Sequence, residues 1–262
     1  MSDKAIFDAV RDFKTKWTRG TLSGLTTAEV TVLKAAIEKA FPSVKGKPLP
    51  VQEIGLVDED FAWAAKELDV TVAQIRAVDE VESGGGWFKD VRSDILNADG
   101  PGGFIDGPNL PKILFEAHKF DAFTKGRFRA SHPNLSSARW NRALYIGGEA
   151  EWLRLYRASQ LDREAALKSA SVGRYQIMGF NHKLAGSDTV EAFWEAMKES
   201  ERRHLEAFVA FIKSSGLVEE LRQVSNVHKD NEAFARGYNG TAFADNNYHV
   251  KIAKAHKKWS EA

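Results

Sequence analysis

A chain of 262 residues and 29.1 kDa, 43% apolar and 28% charged, has a globular composition and room for one large domain, or a medium domain with an appendage. Its 37 basic against 36 acidic residues give a net charge of +1, which excludes the strongly basic footprint of a nucleic-acid binder but allows local basic patches against an anionic polymer. The lack of cysteine removes disulfides, thiol nucleophiles and cysteine metal sites, and leaves the redox compartment open.

In chain order, Ile6, Val10, Phe13 and Trp17 recur at helical spacing and predict a first short helix. A second is expected from Thr26, with Glu29 completing a capping box and Val30, Leu33, Ile37 and Phe41 as its apolar face. Pro42, Gly46, Pro48 and Pro50 break this pattern, so the chain divides into a helical segment 1–50 and a main domain 51–262. Phe61, Trp63, Ala64 and Leu68 mark a third helix. Thr71 and Gln74 form a capping pair that opens a fourth, which runs to Glu82 and stops at Gly84-Gly85-Gly86. Residues 87–111 are rich in Gly, Asp, Asn and Pro and read as loop or a short hairpin. Beyond them helical periodicity dominates. Its clearest case is one helix capped by Asp188 and Glu191, burying Val190, Phe193, Trp194, Met197, Leu205, Phe208 and Ile212 and ending at Gly216. The fold expected is mainly α, with a small hairpin or loop region and no large sheet. No stretch is long and apolar enough to span a bilayer, and Asp3, Lys4, Asp8, Arg11, Asp12 and Lys14 are unlike a signal-peptide core.

Glu82 is the first candidate for chemistry. Ile75 and Val78 lie seven and four positions before it, so its side chain projects from the apolar stripe of its helix. A partly desolvated carboxyl there stays protonated near neutral pH and can protonate the leaving oxygen of a sugar bond. The pattern alone also fits an ordinary exposed Glu before a glycine stop. Seven histidines form no His-Glu-x-x-His arrangement, so no metal and no cofactor are expected, and the glycine run follows a helix instead of the strand a nucleotide loop needs.

Four ordered strings narrow the choice. Val81-Glu82-Ser83-Gly84-Gly85 resembles the Glu-Ser-Gly-Gly signature of lysozyme-like glycosidases, including goose-type lysozymes and lytic transglycosylases. It is followed by Lys112-Ile113-Leu114-Phe115-Glu116-Ala117-His118, by the run from Ser169 through Gly173-Arg174-Tyr175-Gln176 to Asn181, and by Arg236-Gly237-Tyr238-Asn239-Gly240. Together, over residues 65–262, they resemble the N-acetylmuramidase family of phage endolysins of Gram-negative hosts.

That resemblance implies a two-lobed lysozyme-like helical domain with Glu82 as acid, acting on peptidoglycan glycan strands. A second carboxylate is needed to place a water or to act as nucleophile. Glu116 is favoured over Asp106, although a structural acid paired with His118 or a nearby Arg fits Glu116 equally. The extension from Trp87 to Gly103 adds Asp90, Asp94 and Asp99 as rivals. Tyr175, Gln176, Tyr238 and Asn239 suit sugar rings and N-acetyl groups, or else pack and tie loops together. Ser83, His118 and Asn181, in the same strings, are expected to bind substrate as well. The activity expected is hydrolysis of the β-1,4 bond between N-acetylmuramic acid and N-acetylglucosamine. A lytic transglycosylase giving 1,6-anhydro ends, or a non-catalytic wall-binding or tail protein, remains the alternative. The resemblance further implies a monomer made in the host cytoplasm without a signal peptide, reaching periplasmic peptidoglycan after the membrane is permeabilised. Segment 1–50 is either packed on the main domain or an appendage that binds wall or membrane.

Overall fold

Thr71 and Gln74 open the helix that carries Glu82 as their spacing predicts. The Thr71 N–H donates to Gln74 Oε1 at 2.9 Å and the Gln74 N–H to Thr71 Oγ1 at 3.2 Å. The Gln74 amide then reaches the carbonyls of Arg222 and Val224, which pins the start of this helix to a distant turn. The protein is seen here in a computed structural model that describes residues 55–83, 88–91 and 107–261. The chain divides into two units, Met1–Glu53 and Ile54–Ala262, and all described residues belong to the second. The two helices expected before Pro42 lie outside the described residues.

The described residues form a mainly helical fold with ten α-helices. Helix α1 (Asp58–Leu68) and α2 (Val72–Ser83) come first. Strands β1 (Phe88–Val91) and β2 (Gly107–Pro111) then make an antiparallel ribbon with a register shift between Lys89 and Val91, a hairpin within the predicted loop region. Strand β3 (Ile113–Phe115) leads into α3 (Ala117–Phe123), and after a long irregular stretch come α4 (Ala150–Leu161) and α5 (Arg163–Lys168). Strands β4 (Ala170–Val172) and β5 (Ile177–Met178) complete a small antiparallel sheet in the order β3-β4-β5. Helices α6 (Val190–Glu199), α7 (Glu201–Ser214), α8 (Val218–Arg222), α9 (Glu232–Asn239) and α10 (Tyr248–Ser260) finish the domain.

One predicted helix is two. Val190, Phe193, Trp194, Met197, Leu205, Phe208 and Ile212 are all buried as expected, but the chain straightens at Ser200 (φ −166°, ψ 164°). The Ser200 hydroxyl accepts from the Arg203 N–H and caps α7, and the cap of α6 is Thr189, not Asp188. Gly216 (φ +69°) ends α7, with the Leu217 N–H bonded back to the Ile212 carbonyl.

Two packing arrangements position the site. Helix α10 lies antiparallel along α2: Tyr248 at its start meets Glu82, near its end Lys258 and Trp259 both donate to Glu80, and Arg76 lies between the rings of Phe61 and Trp259. The second is the tight seat of the β4–β5 turn. Gly173 has φ +77°, and a Cβ there would approach the His204 ring to 3.0 Å; a Cβ on Gly179 would meet the Leu167 carbonyl oxygen at 2.0 Å. Both positions need glycine because other elements press directly on the backbone. Among the described residues no helix is long and apolar enough to cross a membrane.

Candidate active site

Glu82 stands one residue from the end of α2, half-buried, above the fully buried Ile75 and Val78. Burial pushes its carboxyl up to about 7, and the negative charge of Asp79, one turn earlier, pushes in the same direction. The Tyr248 hydroxyl, at the start of α10, donates to Glu82 Oε1 and opposes that rise by stabilising the charged form. Tyr248 and Tyr238 both have phenols pushed up by burial first and by the Glu82 charge second, so two neutral phenols stand beside the carboxyl over the pH range where it titrates. Tyr248 is not among the residues the sequence marks. It lies 166 positions from Glu82, and no local pattern marks it.

Asp79 also belongs to a buried ion network. Arg174 pairs with Asp79 and, at 2.8 Å, with Glu201; its backbone N–H donates to His204 Nδ1 at 3.1 Å. His204 lies 2.6 Å from the Met197 carbonyl through Nε2, so Nε2 carries the proton and the ring is neutral, its pKa lowered by burial to about 4. The network ties α2, the β4–β5 turn and α7 together three residues before Glu82. Removing one member of such a pair leaves a buried charge alone and costs on the order of 3–5 kcal/mol.

Glu116 precedes α3. Its Oε2 accepts from the Tyr145 hydroxyl and lies 3.1 Å from His118 Nδ1, so the predicted His118 pairing is present and both contacts converge on one oxygen. The backbone around it is braced by Glu151, fully buried, which accepts from the N–H groups of Phe115, Ile146 and Gly147. Arg154 closes this brace, donating to Glu151 at 2.8 Å and to the carbonyls of Phe115 and Asn134. A groove of about 450 Å³ lies over Glu116, walled by Leu114, Trp140, Arg142, Tyr145, Ile146 and Gly147. An adjoining depression of about 330 Å³ shares Leu114 and Gly147 and extends to Lys112, Trp152 and Gln176. Two residues from predicted strings, Glu116 and Gln176, thus lie along one continuous surface.

With this geometry in hand, comparison with known families is decisive. The model of the N-acetylmuramidase family matches residues 71–260. The chain belongs to the N-acetylmuramidase family. Among solved structures, the crystal structure of Burkholderia AP3 phage endolysin is similar with a TM-score of 0.65 and 35% identity, over 86% of this chain and 78% of that one. A comparison with curated proteins finds no match. The match covers all four strings and makes the chain a glycoside hydrolase of the muramidase type.

In this muramidase the other predicted residues fall into two groups. Tyr175 is buried, its ring stacked on Phe208 at 4.4 Å, and its carbonyl accepts from the Tyr238 hydroxyl at 2.9 Å. Tyr238 stacks on Phe234 and meets Phe208 and Phe211 edge-on, so the two tyrosine rings form an aromatic seam close to Glu82. The Gln176 amide ties the turn: Oε1 accepts from Ser171, and Nε2 donates to the carbonyls of Gly173 and Lys112. Gln176 holds φ +46°, a left-handed conformation that this threefold tie maintains. Asn239 is exposed at the end of α9, Asn181 is half-buried after β5, and Ser83 is buried next to Glu82. Asp106, with Asp94 and Asp99, lies outside the described residues; Asp90 lies on β1. Tyr145, Trp140 and Arg142, which face the groove, have no counterpart among the predicted residues.

Proposed function

We propose that this muramidase cuts the β-1,4 bond between N-acetylmuramic acid and N-acetylglucosamine with Glu82 as general acid. The observation that carries this reading is the Glu82 carboxyl, raised by burial to about 7 and fixed through one oxygen by Tyr248. Such a carboxyl is still about half protonated at neutral pH, and its protonated form donates to the leaving glycosidic oxygen as the bond breaks. Glu116 then serves as the partner carboxylate. Tyr145 and His118 both engage Oε2, and Glu116 lines the groove, where its carboxylate would orient a water for attack on the anomeric carbon. Asn239 and Asn181 supply hydrogen bonds to the N-acetyl and hydroxyl groups of the strand, Ser83 is too buried to reach it, and the Gln176 tie keeps the Lys112–Leu114 edge in place for it.

Hydrolysis leaves a reducing N-acetylmuramic acid end, whereas attack by the sugar's own 6-hydroxyl would leave a 1,6-anhydro ring. Mass spectrometry of fragments released from purified peptidoglycan separates the two: reducing ends support the reading, and anhydro ends replace hydrolysis by transglycosylation. In the biological setting that the family suggests, a monomeric enzyme made in the cytoplasm of an infected Gram-negative cell meets the peptidoglycan after the inner membrane is breached, and lyses the cell. Sedimentation of the purified protein tests the monomer. Release of turbidity from chloroform-treated cells, but not from intact ones, tests the order of events.

A further inference from the structure

The groove over Glu116 holds more chemistry than an acid–base pair requires. Trp140 is 58% exposed at its rim and Ile146 69%, unusual exposures for large apolar side chains. The Trp140 and Tyr145 rings stand 6.1 Å apart at 49°, with the indole N–H beside the phenol oxygen, so the platform is preorganised. Between them Arg142 starts a short turn whose first bond is fixed, the Asn141 side chain accepting from the Ala143 N–H at 3.0 Å. Arg154, nearby, is committed to Glu151. Arg142 has no carboxylate within ion-pair distance among the described residues, although it lines the groove.

We infer that this groove is a subsite for a muramyl unit and its acidic side group: Trp140 covers the face of the sugar ring, and Arg142 pairs with a carboxylate of the attached peptide stem. An aromatic face, an apolar wall and an uncommitted guanidinium match a ligand that is flat, amphipathic and anionic at one end. The inference rests on the reading that Glu116 faces the glycan. It assigns that side of the surface the task of distinguishing muramic acid from the uncharged N-acetylglucosamine beside it.

The test compares kcat/KM for the intact enzyme and for Arg142→Ala, Arg142→Lys, Trp140→Ala and Trp140→Phe on three soluble glycan preparations. The first keeps its peptide stems, the second has its carboxylates neutralised by amidation, and the third has its stems removed by an amidase, leaving only the lactyl carboxylate. Arg142→Ala should lower the ratio of native to amidated rates about tenfold, the order expected for one charge-assisted hydrogen bond, with partial rescue by Lys. Trp140→Ala should raise KM on all three, with rescue by Phe. An Arg142 effect confined to stem-bearing strands supports the stem carboxylate. Stripping frees a lactyl carboxylate that is an uncharged amide in native strands; an Arg142 effect larger on stripped than on native strands overturns the stem assignment, because the guanidinium then fits a charge next to the ring better than one on the stem. Equal losses on native and amidated strands, or no loss on either, overturn the subsite. Both side chains are exposed, so the variants should fold, and circular dichroism verifies this. The Glu82 reading fails separately, through a Glu82→Gln enzyme that still cuts, whatever Arg142 does.

Discussion

At Glu82 one burial does two opposite things. It keeps the carboxyl partly protonated at neutral pH, as the proposed general acid needs, and it makes the folded state carry a carboxyl whose pKa has risen from 4.5 to about 7. A group raised on folding stabilises the protein fully below its unfolded value, and that contribution is lost as pH rises through the window from 4.5 to about 7. Above neutrality the wild type therefore carries a desolvated charge that costs about 3 kcal/mol, at 1.36 kcal/mol per pKa unit over the rise from 4.5 to about 7. Glu82→Gln keeps the shape and removes the charge. It should lower activity at least ~10²-fold, because a general acid is lost. The same variant should melt higher than wild type at pH 8 and by a smaller margin at pH 5. Residual activity above a tenth of wild type, or an equal melting difference at both pH values, contradicts this. Tyr248→Phe tests the other side of the balance. Its hydroxyl stabilises the charged carboxylate, so its loss should raise the Glu82 pKa further and move the alkaline limb of the kcat/KM profile to higher pH. A limb that moves downward would mean that the phenol favours the protonated acid. For the second carboxylate, Glu116→Gln should be worse than Asp106→Asn by activity at unchanged circular dichroism. An inactive but unfolded Glu116→Gln would give the residue a structural role only.

The elements show which features of the chain are local and which are not. The capping pair at Thr71 and Gln74, the stop of α7 at Gly216 and the seven apolar residues from Val190 to Ile212 all act within a few turns, and each is legible in the sequence. The break at Ser200 is hidden because the apolar phase continues across it: Met197 to Leu205 is a spacing that one unbroken helix would also have. Ser200 also lacks a Glu or Gln three positions later to complete a capping box. Glu82 could be chosen from its stripe and its string, but not its setting. Tyr248 and Arg174 come to α2 from 166 and 95 positions away, and Tyr145 comes to Glu116 from 29. Long-range pairing of this kind leaves no periodicity. Tyr175 and Gln176 share the string of the site yet pack and tie, since a turn so tightly seated against His204 needs its own side chains for support. The network that seats it makes a prediction at this scale. Arg174→Met leaves Asp79 buried without its partner and should cost about 3 kcal/mol or more of stability. Asp79→Asn in the same chain should recover part of that loss, as measured by denaturant midpoints. A single variant as stable as wild type would show that water, not Arg174, satisfies Asp79. His204 sets the acid side: its pKa is lowered by burial to about 4, so its contribution is present above 6.5 and is lost as pH falls toward 4.

For the whole molecule the question is what the first fifty residues do for a reaction whose residues all follow them. The chain divides between Glu53 and Ile54, and the family match begins at residue 71. Every residue assigned a role here, from Asp79 to Tyr248, lies in the second unit. Within that unit, α1 is sealed from its own side: Arg202 pairs with Asp60 and stacks on Trp63 at 3.8 Å, while Phe61, Ala64 and Leu68 are buried. Removal of residues 1–53 should therefore leave bond cleavage on soluble glycan strands within about threefold of the full chain, well under the tenfold that 1.4 kcal/mol would bring. The removed segment still carries Ile6, Val10, Phe13, Val30, Leu33 and Phe41 at helical spacing, an apolar surface that must find a partner. If that partner is the peptidoglycan or a membrane, truncation weakens binding to sacculi or vesicles and leaves the melting temperature unchanged. If it is the muramidase domain, truncation lowers the melting temperature and exposes a surface that binds a hydrophobic dye. A truncated protein that is soluble and as stable as the full chain, yet inactive on soluble strands, would contradict both. The catalytic surface would then need residues from the first unit, and the boundary of the functional domain would lie before residue 54.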